Sequence, residues 1–302
     1  MEAINGRAGH TEKNLGGAAA FLSFVPTPLQ DVELRYDLAV IRELAEAEHA
    51  LGCLSGAFLA LGAKQQKAAV SMLRRKEAEA SWRLAAGRLE SQSALAGLLS
   101  PYSAVDEDEI CDLEAALAYG AHPFDDLPVC RRLLANAHYL AMQGPRYEKK
   151  YPGEVRWSPS WIGDAEANPT TAAYVPPVGE ALQTGLADLE HYIHEAAAQP
   201  ALVRAVLAHY QFEALHPFID GNGRLGRMLI QLMLVKDGEL PGDILQLSSA
   251  LAARVTEYYA RLWAVETEGD YEGWASFMLG VVADAARDTL GLLGDLESEV
   301  AR

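Results

Sequence analysis

The residues best suited to chemistry lie together in Leu215-His216-Pro217-Phe218-Ile219-Asp220-Gly221-Asn222-Gly223-Arg224-Leu225-Gly226-Arg227. Gly221-Asn222-Gly223 allows a tight backbone turn and offers consecutive N–H groups at a helix start, where free donors and the helix dipole attract an anion. Arg224 and Arg227 are three residues apart and so are neighbours on one helical face. They fall in the first turns, where the dipole disfavours a cation. A multiply charged anion bound there would offset that cost. Asp220 would repel bare phosphate, and a Mg²⁺ ion shared between carboxylate and phosphate oxygens removes the conflict. His216, just ahead of the turn, is the natural proton acceptor near neutral pH. Singly, these residues read as a core histidine, an asparagine cap and two surface arginines; crowded into one stretch, they point to a polyphosphate site beside a base. His122-Pro123-Phe124-Asp125-Asp126 also opens on His-Pro-Phe but lacks the glycine turn and the arginine pair. It reads as a connector between helices.

Helical patterns must position this stretch. Leu202, Val203, Val206, Leu207, Tyr210 and Phe212 precede it, and Leu225, Met228, Leu229 and Leu232 follow at helical spacing. Elsewhere the chain is rich in Ala, Leu, Glu and Arg, and the periodicity predicts helices within 32–61, 65–99 (interrupted near Gly87), 106–119, 127–142, 179–197, 200–215, 222–236, 250–267 and 271–296. Residues 149–177 break the pattern with Pro152, Pro159, Pro169, Pro176 and Pro177. Val155-Arg156-Trp157 and Ala173-Tyr174-Val175 are strand-formers, so a two-stranded hairpin with a long tip is expected there. Individually, Arg156, Trp161 and Tyr174 read as packing and solubility residues of that hairpin. The expected fold is all-α with one small β excursion.

The chain has 302 residues, 42 acidic against 25 Lys and Arg, and a formal charge of −17. A chain this long buries roughly three quarters of its unfolded surface, enough for a core without staples. The acidic balance argues against nucleic acid as a partner. No apolar run reaches the ~20 residues needed to cross a bilayer, so no membrane partner is expected. The apolar stretch Ala18 to Val25 follows no basic leader, which argues against a secretory signal. Cys53, Cys111 and Cys130 are far apart and in no metal spacing, which suits a reducing cytoplasm. Residues 1–20 read as a flexible tail, 21–105 as an N-terminal helical region, and 106–302 as a core carrying the flap at 153–177. His191 and His194, three apart on a predicted helix, lack a third ligand and read as a solvated face.

His216 to Arg227 resembles the Fic family signature, His-Pro-Phe-x-Asp/Glu-Gly-Asn-Gly-Arg-x-x-Arg, at every defined position. Gly153-Glu154-Val155-Arg156, Trp161-Ile162-Gly163 and Tyr174-Val175-Pro176-Pro177 resemble the family's flap. Phe24-Val25-Pro26-Thr27-Pro28-Leu29 and Arg75-Lys76-Glu77-Ala78 resemble the helical region attached to many bacterial members. The resemblance covers roughly residues 22–280 and implies a Fic-type helical bundle. It also implies transfer of AMP from ATP to a Ser, Thr or Tyr hydroxyl of a target protein, and of the chain itself, with release of pyrophosphate. His216 would be the base and Asp220 the Mg²⁺ ligand. Asn222 and the amides of Gly221 and Gly223 would cradle phosphates, and Arg224 and Arg227 would hold the outer ones. An unidentified target segment would dock at the flap as an added strand. Oligomeric state is left open, a homo-oligomer included.

The departures are informative. Members with this N-terminal region usually carry an inhibitory helix, Ser/Thr-x-x-x-Glu-Gly/Asn, whose glutamate pairs with the second arginine. Here the stretch is Ser81-Trp82-Arg83-Leu84-Ala85-Ala86-Gly87, with Ala85 in the glutamate's place. Arg227 is therefore expected to be free and the chain de-repressed, unless Glu79 or Glu90 substitutes in a shifted register. Arg254-Val255 precedes Tyr258-Tyr259 where the family often has Asn-Arg, leaving base selectivity open; packing of the two tyrosines accounts for them equally well. At this length no added winged-helix module is expected. Two other readings keep the site: use of another nucleotide donor or removal of AMP, and a non-catalytic module that senses nucleotide.

Overall fold

A computed structural model describes residues 6–15, 20–90, 106–121, 127–163, 166–195 and 198–300, without the side chains of 86–90 and 296–300. Its elements in order are β1 (Gly9–Asn14), β2 (Phe21–Pro26), α1 (Leu38–Ala60), α2 (Ala63–Glu90), α3 (Glu107–Ala121), α4 (Arg131–Ala141), α5 (Gly179–Glu195), α6 (Ala201–Leu215), α7 (Asn222–Lys236), α8 (Leu247–Ala252), α9 (Val255–Glu268) and α10 (Tyr271–Val300). The all-α expectation holds, with one small sheet among the described residues. None of the helices is long and apolar enough to cross a membrane, among the described residues. Helix α2 continues through Gly87, so the interruption expected there is absent. The connector reading of 122–126 lies outside the described residues.

The centre of the molecule is the pair α6 and α7. Apart from Ala201 and Arg204, every residue of α6 is buried, and nearly all of α7 is buried from Asn222 to Leu234. Helices buried all round belong inside a larger bundle. Helix α10 packs on α1, α6, α8 and α9; α2 lies against α3, α7 and α8. Trp274 of α10 is fully buried, and its indole N–H donates to the Val206 carbonyl (2.8 Å). One contiguous apolar cluster runs from Leu29 to Leu293, so the N-terminal helices share the core of the rest.

Two expectations about β structure are corrected. Residues 9–14 are not a flexible tail: β1 pairs antiparallel with β2, Gly9 opposite Pro26 and Asn14 opposite Phe21. Alternation hid this strand, because its solvent side is entirely polar and only its neighbour β2 carries the apolar face. The flap, in turn, is no hairpin of 155–157 with 173–175. Among the described residues its only β feature is an isolated bridge between Ile162 and Tyr174. The strand-formers bind elsewhere: Arg156 N–H donates to Pro217 O (2.9 Å), and Val175 O accepts from Phe24 N–H of β2 (2.8 Å).

Arg156 is thus more than a solubility residue. It is 3% exposed and donates to the carbonyls of His216 (2.7 Å), Pro177 (2.7 Å) and Leu215 (3.1 Å). Burial pulls its guanidinium down to about 10. Tyr174, also buried, donates its hydroxyl to Ala214 O (2.6 Å). Together they strap the flap to the end of α6, whose last carbonyls have no intrahelical donor. Arg156→Met should leave those carbonyls bare and cost about 3 kcal/mol, read as a lowered urea midpoint. Arg156→Lys should recover little of it, since a point-like ammonium does not reproduce the planar fork.

Candidate active site

Helix α6 ends because His216 adopts a left-handed conformation (φ 46°), its N–H still closing on Phe212 O, and Pro217 cannot continue the ladder. The chain then turns through 217–221 into α7. Asn222 closes this loop on itself: its Oδ1 accepts from Phe218 N–H (2.9 Å), and its Nδ2 donates to Phe218 O (2.8 Å). Asn222 is 2% exposed, so its side chain shapes the loop instead of cradling an anion as the sequence suggested. Gly221 takes φ 79°, and a Cβ there would sit 2.7 Å from Met142 Sδ and 3.3 Å from His138 Nε2. The Gly221 amide, expected to bind phosphate, donates instead to Asp220 Oδ1 (2.7 Å). Gly223 and Arg224 keep amides in the first turn, ahead of the bond from Leu225 N–H to Gly221 O.

His138 of α4 was not singled out from the sequence. Its Nδ1 accepts from Gly153 N–H (2.8 Å), which leaves the ring proton on Nε2 to donate to Asp220 O (2.9 Å). The ring stacks on Phe218, centroids 3.8 Å apart and 9° from parallel. Burial holds its pKa down at about 4. One neutral imidazole therefore ties the flap's start to the loop's acidic residue. No spacing signal could reveal it, because its partners lie far away in sequence.

The structure brings His216, Asp220, Gly221, Gly223, Arg224 and Arg227 onto one loop and helix start, with His216 and Asp220 half-buried. Both arginines are 6% exposed. Arg224 Nη2 donates to Tyr147 Oη (3.1 Å) and stands 3.9 Å from Asp220 Oδ1. Arg227 is not free, contrary to expectation. Its Nε and Nη2 donate to Ser81 Oγ (3.3 and 2.8 Å), Nη2 also to Ser81 O (3.0 Å), and Nε to Ser248 Oγ (3.1 Å). These contacts need no carboxylate at residue 85, because residue 81 reaches the guanidinium partly through its backbone. Glu79 does not substitute; it pairs with Arg75 (3.1 Å) and Arg83 (3.8 Å). The side chain of Glu90 lies outside the described residues.

Behind Ser248 stands buried Glu77, accepting from the Ser248 N–H (3.1 and 3.0 Å) and hydroxyl (2.5 Å). Burial raises Glu77 to about 7, against the pull of the Ser248 hydrogen bonds and the Arg227 charge. Burial also lowers the pKa of Arg227.

A metal at Asp220 would find one carboxylate, half-buried and already holding an N–H on one oxygen. Among the described residues no grouping of three or more His, Cys, Asp or Glu could hold a metal unaided. That donor set fits Mg²⁺ completed by phosphate oxygens and water. His191 and His194 are exposed on α5. Tyr258 packs against Trp274 and meets His209 Nε2 through its hydroxyl (2.9 Å), so it is a core residue.

A helical protein with an anion-ready helix start, two buried arginines and a histidine at the preceding helix's end is thereby defined. Residues 128–234 match the family model described as Fic/DOC family. This chain therefore carries a Fic/DOC family domain. It is 29% identical over 140 residues to protein adenylyltransferase fic-1 of Caenorhabditis briggsae, covering 46% of this chain and 23% of that protein. The corresponding figures for protein adenylyltransferase Fic of Aedes aegypti are 29% over 217 residues, 68% and 36%. The chain thus spans roughly a quarter to a third of the length of these curated relatives. A solved Fic family protein from Desulfovibrio desulfuricans shares the fold (TM-score 0.67, 23% identity, 86% of this chain and 76% of that one). Fic-1 from C. elegans does too (TM-score 0.60, 17% identity, 85% and 74%).

Because His138 titrates near 4 when folded and near 6.5 when unfolded, the unfolded chain takes up its proton first on acidification. The neutral imidazole's contribution is complete above pH 6.5 and lost as pH falls towards 4. The stability difference between wild type and His138→Gln should therefore shrink by about 1.4 kcal/mol per pH unit across that window. Urea titrations at a series of pH values read it directly, since opposing groups such as Glu77 are common to both proteins.

Proposed function

We propose that this protein is a protein adenylyltransferase that moves AMP from Mg-ATP to a hydroxyl of a target protein, and to itself. The observation that carries the reading is the loop joining α6 to α7. It sets a histidine, an aspartate and two arginines around a helix start in the family's order, and its backbone is fixed on every side. His216 Nδ1 is buried, so Nε2 is the nitrogen left to act as base. The attacking oxygen bonds to the α-phosphorus, the bond from phosphorus to the bridging oxygen of the β-phosphate breaks, and pyrophosphate leaves. The hydroxyl proton passes to His216. Arg224, Arg227 and the amides of Gly223 and Arg224 would hold the β- and γ-phosphates, where charge accumulates as pyrophosphate departs. Mg²⁺ at Asp220, when bound, adds electrostatic stabilisation of that same charge. The target hydroxyl would be held against the flap, whose Trp157 is 78% exposed and Trp161 41%. A cytoplasmic setting belongs to this reading, supported by unpaired Cys53, Cys111 and Cys130.

Incubation with Mg-ATP should add one adenylyl mass to the protein, and labelled GTP, UTP and CTP should label it less. His216→Ala should lose transfer by at least a hundredfold while still binding ATP. Transfer unaffected by that substitution would overturn the assignment of the base. Ala85 lies half-buried one turn beyond Ser81 on α2. Ala85→Glu should lower self-labelling by bringing a carboxylate to Arg227; labelling at the wild-type rate would show that α2 does not control that arginine.

A further inference from the structure

We infer that Glu109 and Tyr147 are positioning residues for Arg224, fixing one nitrogen of its guanidinium so that the others are presented to polyphosphate. The inference rests on the reading of Arg224 as a phosphate ligand. Glu109 of α3 is 6% exposed. Its Oε2 accepts from Trp82 Nε1–H of α2 (2.9 Å) and from the Tyr147 hydroxyl (2.7 Å), and its Oε1 from Arg146 Nη1 (3.1 Å). A tyrosine has one hydroxyl proton. With that proton given to Glu109, Tyr147 Oη meets Arg224 as an acceptor, and Nη2 donates to it at 3.1 Å. The Tyr147 ring lies 5.3 Å from the Arg224 guanidinium carbon, adding a cation–π contact.

Arg224 Nε and Nη1 are buried and make no hydrogen bond among the described residues. Glu109 stands 3.8 Å from Nη1, close enough to balance its charge and too far to bond it. Unspent donors on a buried cation are costly unless an anion arrives to take them. A carboxylate bonded directly to Arg224 would have to be displaced by phosphate. Interposing a neutral hydroxyl avoids that competition while still orienting the group. The neighbouring α2 residues divide the work: Ser81 touches Arg227 directly, and Trp82 braces Glu109.

Tyr147→Phe keeps the ring and deletes the hydroxyl. Calorimetric titration of the full chain with Mg-ATP should show about tenfold weaker binding, with AMP affinity unchanged, because AMP lacks the outer phosphates. The NMR line of Arg224 Nε–H should broaden as the guanidinium gains freedom. A merely structural role would instead weaken ATP and AMP together, which would overturn the inference. Should Tyr147→Phe not fold, Glu109→Asp, which withdraws the carboxylate by one methylene, should give the same ATP-selective loss. Wild-type protein that binds ATP without transferring AMP would sink the transferase reading and leave this one standing. Unchanged ATP affinity in both variants would sink this inference alone, and a wild type that binds no ATP would sink both.

Discussion

Everything at the site depends on closure of the 217–221 loop by the two hydrogen bonds between the Asn222 amide and the Phe218 backbone. A six-residue connection between two buried helices carries polar backbone groups into the interior, and each must find a partner. Asn222 satisfies Phe218, Arg156 takes the His216 and Leu215 carbonyls, and His138 takes that of Asp220. None of these partners is a water-facing group that could drift. The side chains of the candidate site therefore hang from a backbone fixed by the bundle and the flap at once.

The arginine pair shows the same economy with charge. Both guanidinium groups are buried, yet among the described residues neither donates a hydrogen bond to a carboxylate. Arg227 meets serine oxygens with Glu77 one bond further back, and Arg224 meets a tyrosine hydroxyl with Glu109 behind it. Removing one member of a buried ion pair is strongly unfavourable, so direct pairing would resist an incoming anion. Placing the negative charges one hydrogen bond away keeps the cations compensated at intermediate range and leaves donors available. Helix α2 is part of this arrangement and shares the core with α7 and α8.

The N-terminal sheet and the flap form a second layer of support. Val175 bonds to β2, Tyr174 bonds to Ala214 at the end of α6, and Phe24 packs on Tyr174 with centroids 5.9 Å apart. A strand pair formed in part by the expected tail thus braces the segment that holds the carbonyls around His216.

The sequence alone determined the helical fold, most helix positions and the residues of the loop, because these depend on local periodicity, turn chemistry and short spacings that a linear string preserves. Gly221, Asn222 and Gly223 announced the turn, and His216, Asp220, Arg224 and Arg227 the side chains that the proposed chemistry would use. Tertiary structure decided what each group is bonded to. It spent the Asn222 side chain and the Gly221 amide on the loop, occupied Arg227 with Ser81, turned Arg156 from a residue of an expected hairpin into a strap on the end of α6, and paired 9–14 with 21–26. It also supplied His138, Tyr147, Glu109 and Glu77, whose partners lie tens of residues away or further. A buried hydrogen bond between distant segments follows from packing geometry, and no periodicity in the chain encodes it.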